Sequence, residues 1–204
     1  MIRHFYIVDD DEPVRKSLHG LMRLRSDTMI RSFTSADACL SALGELEPGV
    51  VLLDVHMPGT SGMDALSTIV CHPTIFEVIM ITGYGNITMA VDAMRNGAFD
   101  FLEKPYDHHI LLQVIEKAYA RLESTTQDQA GAEAARMRLA SLSAREREVL
   151  TQLIEGKANK LIAHELDLSP RTVEYYRANV MAKLGVKTLS EALRIAYAGG
   201  MFAA

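Results

Sequence analysis

Over residues 1–122, short apolar runs alternate with longer amphipathic stretches, the rhythm of a β/α chain. Runs of four or five residues rich in β-branched and aromatic types predict strands at 5–8, 29–33, 50–53, 78–81 and 99–102. Between and after them lie helical stripes. Val14, Leu18, Leu21 and Met22 form one, Ala38, Leu40 and Leu43 a second, and Ile110, Leu111, Val114, Ile115 and Ala118 a third. The central runs do not alternate with polar residues, so both their faces should be covered, and parallel strands need crossover connections. The expected α/β fold is a doubly wound, five-stranded parallel sheet.

The pattern changes after 122. Residues 123–140 open with a polar run and turn alanine-rich, which marks a linker; alanine and arginine favour helix there, and a flexible tether is the alternative. From 143 the strand signal disappears. Helical patterns at 145–155, 159–166, 170–184 and 188–198, punctuated by Gly156, Ser169-Pro170 and Gly185, predict a smaller all-α domain of four helices over 141–204.

Composition narrows the class. With 49% hydrophobic and 23% charged residues, 6 prolines and 13 glycines in 204 residues, the chain should fold rather than remain disordered. Its apolar runs fall far short of the roughly 20 residues that span a bilayer, and the N-terminus carries no apolar targeting segment. A cytoplasmic protein without membrane partners is expected. Cys39 and Cys71 lack CxxC or Cys/His spacing and read as small buried hydrophobes. The net charge of −5 is unevenly spread: 10 basic against 16 acidic residues over 1–122, but 9 against 7 over 139–204. Contact with nucleic acid would suit the second half better.

Ligands of an open parallel sheet bind beyond the carboxyl ends of its strands. There the sequence places Asp9, Asp10, Asp11 and Glu12 after the first strand, Asp54 after the third, Thr82 after the fourth and Lys104-Pro105 after the fifth. Crowded carboxylates repel one another, and a bound cation, best Mg²⁺, relieves them. Beside such an ion Asp54 could attack phosphorus, while Thr82 and Lys104 serve the remaining phosphoryl oxygens. Singly, each residue is more often a turn former, cap or solvated charge. Compatible chemistry at four strand ends together favours a site.

The motifs VDDDEPVRKSL at 8–18, LLDVHMPGTSGMD at 52–64, ITGYG at 81–85 and FLEKPY at 101–106 make residues 1–122 resemble a receiver domain, flavodoxin-like in fold, of the response-regulator superfamily. The resemblance implies phosphorylation of Asp54, with Asp54, Thr82 and Lys104 as the reacting set. It implies Mg²⁺ (or Mn²⁺) held by Asp10, Asp11, Asp54 and the His56 carbonyl, with Asp9 outside the pair. Thr82 and Phe101 fall at the switch positions, and Lys104-Pro105 at a cis peptide bond. His56 and Tyr84 flank the pocket where self-hydrolysis is tuned.

In the C-terminal segment, Ser169 is a candidate N-cap with Pro170 at the first helical position. In the helix that follows, Val173, Val180 and Leu184 share one side, while Arg171, Glu174, Tyr175, Ala178 and Ala182 project from the other. The outward set suits a major groove, with Lys160, Arg177, Lys183 and Lys187 on the backbone and Thr172 at the helix start. A helical hairpin with a solvated face is the plainer alternative. LSAREREVL, EGKANKLIAHELDLSPRTVEYYRANVMAKLG and LSEAL resemble the LuxR/NarL-type helix-turn-helix, and the whole chain resembles the FixJ-type transcriptional regulators.

The function implied is that of a two-component response regulator: a sensor histidine kinase phosphorylates Asp54, the protein homodimerises, and it binds double-stranded promoter DNA, with RNA polymerase as a further partner. It is a transcription factor rather than an enzyme, taking a phosphoryl group from a donor and losing it slowly. A phosphorelay intermediate acting through protein contacts is the alternative. A phosphatase would need an acid close after its nucleophile, and Val55 and His56 follow Asp54 instead.

Overall fold

The computed structural model describes residues 2–23, 25–85 and 87–201. They form two compact units, 1–126 and 127–204.

In the first, strands β1 (Arg3–Val8), β2 (Thr28–Phe33), β3 (Gly49–Asp54), β4 (Phe76–Thr82) and β5 (Asp100–Glu103) pair in the order β2-β1-β3-β4-β5, all parallel. Helices α1 (Glu12–Met22), α2 (Ala36–Ala42), α3 (Gly62–Val70), α4 (Ile87–Arg95) and α5 (His108–Ala140) follow the strands in turn. Alternate residues feed two cores. Tyr6, Val8, Val51, Leu53, Val78 and Met80 pack with α2, α3 and Ala93 of α4. Phe5, Ile7, Val50, Leu52, Ile79 and Ile81 meet Leu18 and Met22 of α1 and Leu111, Ile115, Ala118 and Tyr119 of α5. That two-sided burial is why the central strands carry no polar alternation.

Three expectations need correction. Ala38 is exposed; the buried stripe of α2 is Ala36, Cys39 and, just beyond it, Leu43, spaced i, i+3, i+7. Cys71 is exposed, capping the end of α3, so only Cys39 is a core cysteine. Ile110 is also exposed, leaving Leu111, Val114, Ile115 and Ala118 as the inward face.

Residues 123–140 continue α5 without a break. The hydroxyls that read as a linker are absorbed by the helix: Thr125 Oγ1 donates to the Arg121 carbonyl at 2.9 Å and Thr126 Oγ1 to that of Leu122 at 2.7 Å. In the second unit, α6 (Ala144–Ile154), α7 (Asn159–Glu165), α8 (Pro170–Leu184) and α9 (Leu189–Ala198) complete the fold. Ala135 and Leu139 from the end of α5 are buried there, Leu139 against Leu142, Leu150, Val180, Leu184 and Ala192. The alanine-rich segment is thus partly domain core.

Candidate functional site

Register brings the strand ends of the first unit level: Val8 pairs with Leu53, Asp54 with Ile81, and Thr82 with Glu103. The next residues therefore converge at one edge. Asp54 is buried there, with Asp9 and Thr82 fully so. Lys104 Nζ donates to Oδ1 of Asp54 and to Oδ2 of Asp9, each at 2.7 Å. Burial pushes the Asp54 carboxyl above its ordinary value, and Lys104 only partly offsets this. Burial also works against the Lys104 charge, but the two carboxylates outweigh it and hold the ammonium above its ordinary value.

Asp9 is the residue that sequence reasoning set aside. It is buried, whereas Asp11 is exposed, stands at the N-cap of α1 and gives its backbone N–H to Oδ1 of Asp9 at 2.8 Å. Pro13, the second residue of α1, places the helix start close to this run of acids without choosing between Asp11 and Glu12 as the cap. Asp10 lies between Asp9 and Asp11, exposed at the same strand end.

His56 donates its N–H to Oδ2 of Asp54 at 2.8 Å, and its Nδ1 lies 3.0 Å from Thr82 Oγ1. Phe101 is half-buried, and Lys104-Pro105 is cis. A Cβ on Gly85 would meet Thr82 Cγ2 at 3.1 Å and Phe101 Cε1 at 3.3 Å, so glycine lets the β4–α4 loop close onto both.

Among the described residues, no three His, Cys, Asp or Glu side chains already converge as metal ligands. The donor chemistry nonetheless fits a hard divalent ion. Two buried carboxylates share one ammonium, which leaves net negative charge, and the Asp10 carboxylate and His56 carbonyl offer further oxygens.

In the second unit, α7 and α8 form a helix-turn-helix. Asp167 takes a left-handed φ of 54° in the turn, Leu168 N–H returns to the Ala163 carbonyl at 2.8 Å, and Ser169 Oγ caps α8 by accepting from Thr172 N–H at 3.0 Å. Thr172 is half-buried, its hydroxyl 2.7 Å from that of Ser169. Val173, Val180 and Leu184 are buried, while Arg171, Glu174, Tyr175, Ala178 and Ala182 are exposed, as is Lys160 on α7; Arg177 lies at the edge. Lys183 is drawn elsewhere: its Nζ donates to Oε2 of buried Glu146 at 2.7 Å, tying α8 to α6.

A parallel sheet with a buried aspartate and threonine and a partly buried lysine at its carboxyl edge, joined to a helix-turn-helix, defines a receiver coupled to a DNA-binding module. Residues 5–116 match the response regulator receiver domain family, and residues 140–196 match the luxR family of bacterial regulatory proteins. The transcriptional regulatory protein FixJ of Bradyrhizobium diazoefficiens is 43% identical over 97% of this chain and 96% of its own length; FixJ of Rhizobium meliloti is 43% identical over 96% and 95%. Among solved structures, the response regulator StyR aligns with a TM-score of 0.86 at 31% identity over 97% of this chain and 99% of its own. Full-length FixJ from B. japonicum aligns with a TM-score of 0.59 at 43% identity over 98% of each. The chain belongs to the FixJ-like two-component response regulators, transcriptional regulators with a receiver and a LuxR-type DNA-binding domain. Among the described residues, no helix is long and apolar enough to cross a membrane.

Proposed function

We propose that a sensor histidine kinase phosphorylates Asp54 in a receiver spanning 1–122, and that this drives homodimerisation and promoter binding by a module spanning 141–204. The observation that carries this reading is the 2.7 Å contact of Lys104 Nζ with the buried Asp54 carboxylate, beside buried Thr82. An Asp54 carboxylate oxygen attacks phosphorus, the P–N bond of the donor phosphohistidine breaks, and the leaving imidazole takes a proton. Lys104 faces the phosphoryl oxygens as a fixed cation, and the Thr82 hydroxyl turns to donate to one of them. Phe101 follows Thr82 inward; having no hydroxyl, it signals through packing alone.

Mg²⁺ (or Mn²⁺) would be held by Asp54, Asp10 and the His56 carbonyl, with Asp9 taking the place expected of Asp11. When bound, the ion supplies positive charge against the phosphoryl oxygens. On DNA, Arg171, Glu174, Tyr175 and Ala178 face base edges, and Lys160, Thr172 and Arg177 face phosphates. RNA polymerase completes the set of partners, and the cytoplasm is the compartment. The test is incubation with acetyl phosphate and Mg²⁺: a phosphoryl group released by alkali and by hydroxylamine on wild-type protein, absent in Asp54→Asn, is the expected result. Labelling that survives the substitution contradicts the assignment.

A further inference from the structure

The imidazole of His56 does more than flank the pocket. Its Nδ1 stands 3.0 Å from Oγ1 of Thr82, while the backbone N–H of the same residue holds Oδ2 of Asp54 at 2.8 Å. Thr82 is fully buried, and its oxygen also accepts the N–H of Tyr84 at 3.2 Å. The Tyr84 ring meets the imidazole edge-on, with 6.3 Å between centroids. The switch hydroxyl is therefore already engaged, from a main-chain donor on one side and a side-chain nitrogen on the other.

We propose that His56 is a positioning residue that latches Thr82 in the unphosphorylated state. The inference rests on the reading of Asp54 as phosphoacceptor and Thr82 as switch. With its oxygen accepting from Tyr84, the hydroxyl has a single proton to donate. In the tautomer that carries its proton on Nε2, Nδ1 accepts that proton in the latched state, a phosphoryl oxygen accepts it in the switched state, and one bond excludes the other. A contact made in only one of two states biases the equilibrium by its own strength. For one ordinary hydrogen bond that is about three- to tenfold in an equilibrium constant. The Tyr84 N–H belongs to the main chain, which any residue supplies; the imidazole is what this sequence adds. His56 thus grips the acceptor through its backbone and restrains the switch through its ring.

Beryllofluoride with Mg²⁺, a stable stand-in for an aspartyl phosphoryl group, reads this equilibrium in the full-length protein without hydrolysis. His56→Leu deletes the ring nitrogen and keeps the main chain, so apparent affinity for beryllofluoride should rise about fivefold. His56→Asn places a polar atom where Nδ1 stood and should return the affinity toward the wild-type value. In a Thr82→Ala background, His56→Leu should change affinity by less than about twofold, since the latched hydroxyl is gone. Unchanged or weaker binding by His56→Leu overturns the latch. So does an equal effect in the Thr82→Ala background, or an Asn variant that behaves like Leu. Wild-type protein that takes up no beryllofluoride overturns the phosphoacceptor reading itself, and the latch with it.

Discussion

Lys104 donates from Nζ to Oδ1 of Asp54 at 2.7 Å, joining residues 50 positions apart at the carboxyl ends of β5 and β3, two strands separated by β4. The same ammonium reaches Oδ2 of Asp9 at the same distance. One cation between two buried carboxylates is an under-compensated arrangement. The same shortage of positive charge that would favour a bound cation also costs stability.

That cost is measurable at Asp54. Its pKa is raised in the folded state, mainly by burial. An acid with a raised folded pKa is favourable to folding below its unfolded pKa, and that contribution is lost as pH rises through the folded value. At neutral pH the ionised carboxylate is therefore a net burden. Asp54→Asn should raise the melting temperature by a few degrees at pH 7, with the gain fading as the pH falls toward the ordinary aspartate range. Thermal melts of both proteins across pH check this, and a constant difference would count against it.

Removing the cation should do the opposite. Lys104→Gln leaves Asp9 and Asp54 facing each other, and breaking a partly buried pair from one side costs about 2 kcal/mol here, below the range for fully buried pairs because Lys104 is 23% exposed. A divalent ion that binds the folded state alone stabilises it by mass action. Millimolar Mg²⁺ should consequently raise the melting temperature of Lys104→Gln more than that of the wild type, as read by calorimetry. Equal shifts would show that the ion does not meet these carboxylates.

Much of this geometry was legible in advance because parallel strands buried on both faces must be apolar throughout; β3 and β4 are buried at every position and were found on that basis. Each was drawn short at its polar end, since Asp54 and Thr82 look like the start of a loop although they still pair in the sheet. The run of acids at 9–12 gives no compositional means of choosing which carboxylate turns inward; what separates Asp9 from Asp11 is that β1 ends at Val8 and α1 takes Asp11 as its cap. Helix α2 is misphased because seven residues, all but Asp37 being Ala, Cys, Ser or Leu, carry a weak period. The long α5 was cut at its hydroxyl-rich stretch because bonds to carbonyls four residues back leave no mark on composition.

Lys183 gives a third prediction, contrary to its expected place on DNA phosphate. Its ammonium bonds Glu146, whose side chain also accepts the Ser143 N–H at 2.7 Å in the capping box of α6. The Lys183 hydrogen bond is the main reason the Glu146 carboxyl sits below its ordinary range, followed by the Ser143 backbone. A depressed folded pKa contributes stability above the unfolded value that disappears as pH falls through the folded one. Lys183→Met should cost about 0.5–1 kcal/mol at pH 7, modest because the Lys183 side chain is 42% exposed. The loss should shrink in acid, and the salt dependence of DNA binding should stay as in the wild type. A salt slope lowered by about one would restore Lys183 to the phosphate contacts.

The exposed face of α8 carries the last prediction. Arg171, Glu174, Tyr175 and Ala178 fall at i, i+3, i+4 and i+7, one stripe opposite buried Val173 and Val180. Tyr175 is 64% exposed and leans on Tyr176 with ring centroids 5.8 Å apart, so its phenol projects from a supported position rather than a free one. A tyrosine offers a large apolar ring with a polar tip, and a base edge or sugar could cover this one. Tyr175→Ala should weaken promoter binding about tenfold while Asp54 takes up phosphate at the wild-type rate. Glu174→Ala should instead relax preference at one base pair, by about 1–3 kcal/mol, if the carboxylate accepts from a cytosine amino group. Lys160→Ala should weaken all sequences alike and lower the salt slope by about one. Fluorescence anisotropy on operator and scrambled duplexes over a salt series separates the three. If Tyr175→Ala and Glu174→Ala both leave operator binding intact, the recognition surface is not this face of α8.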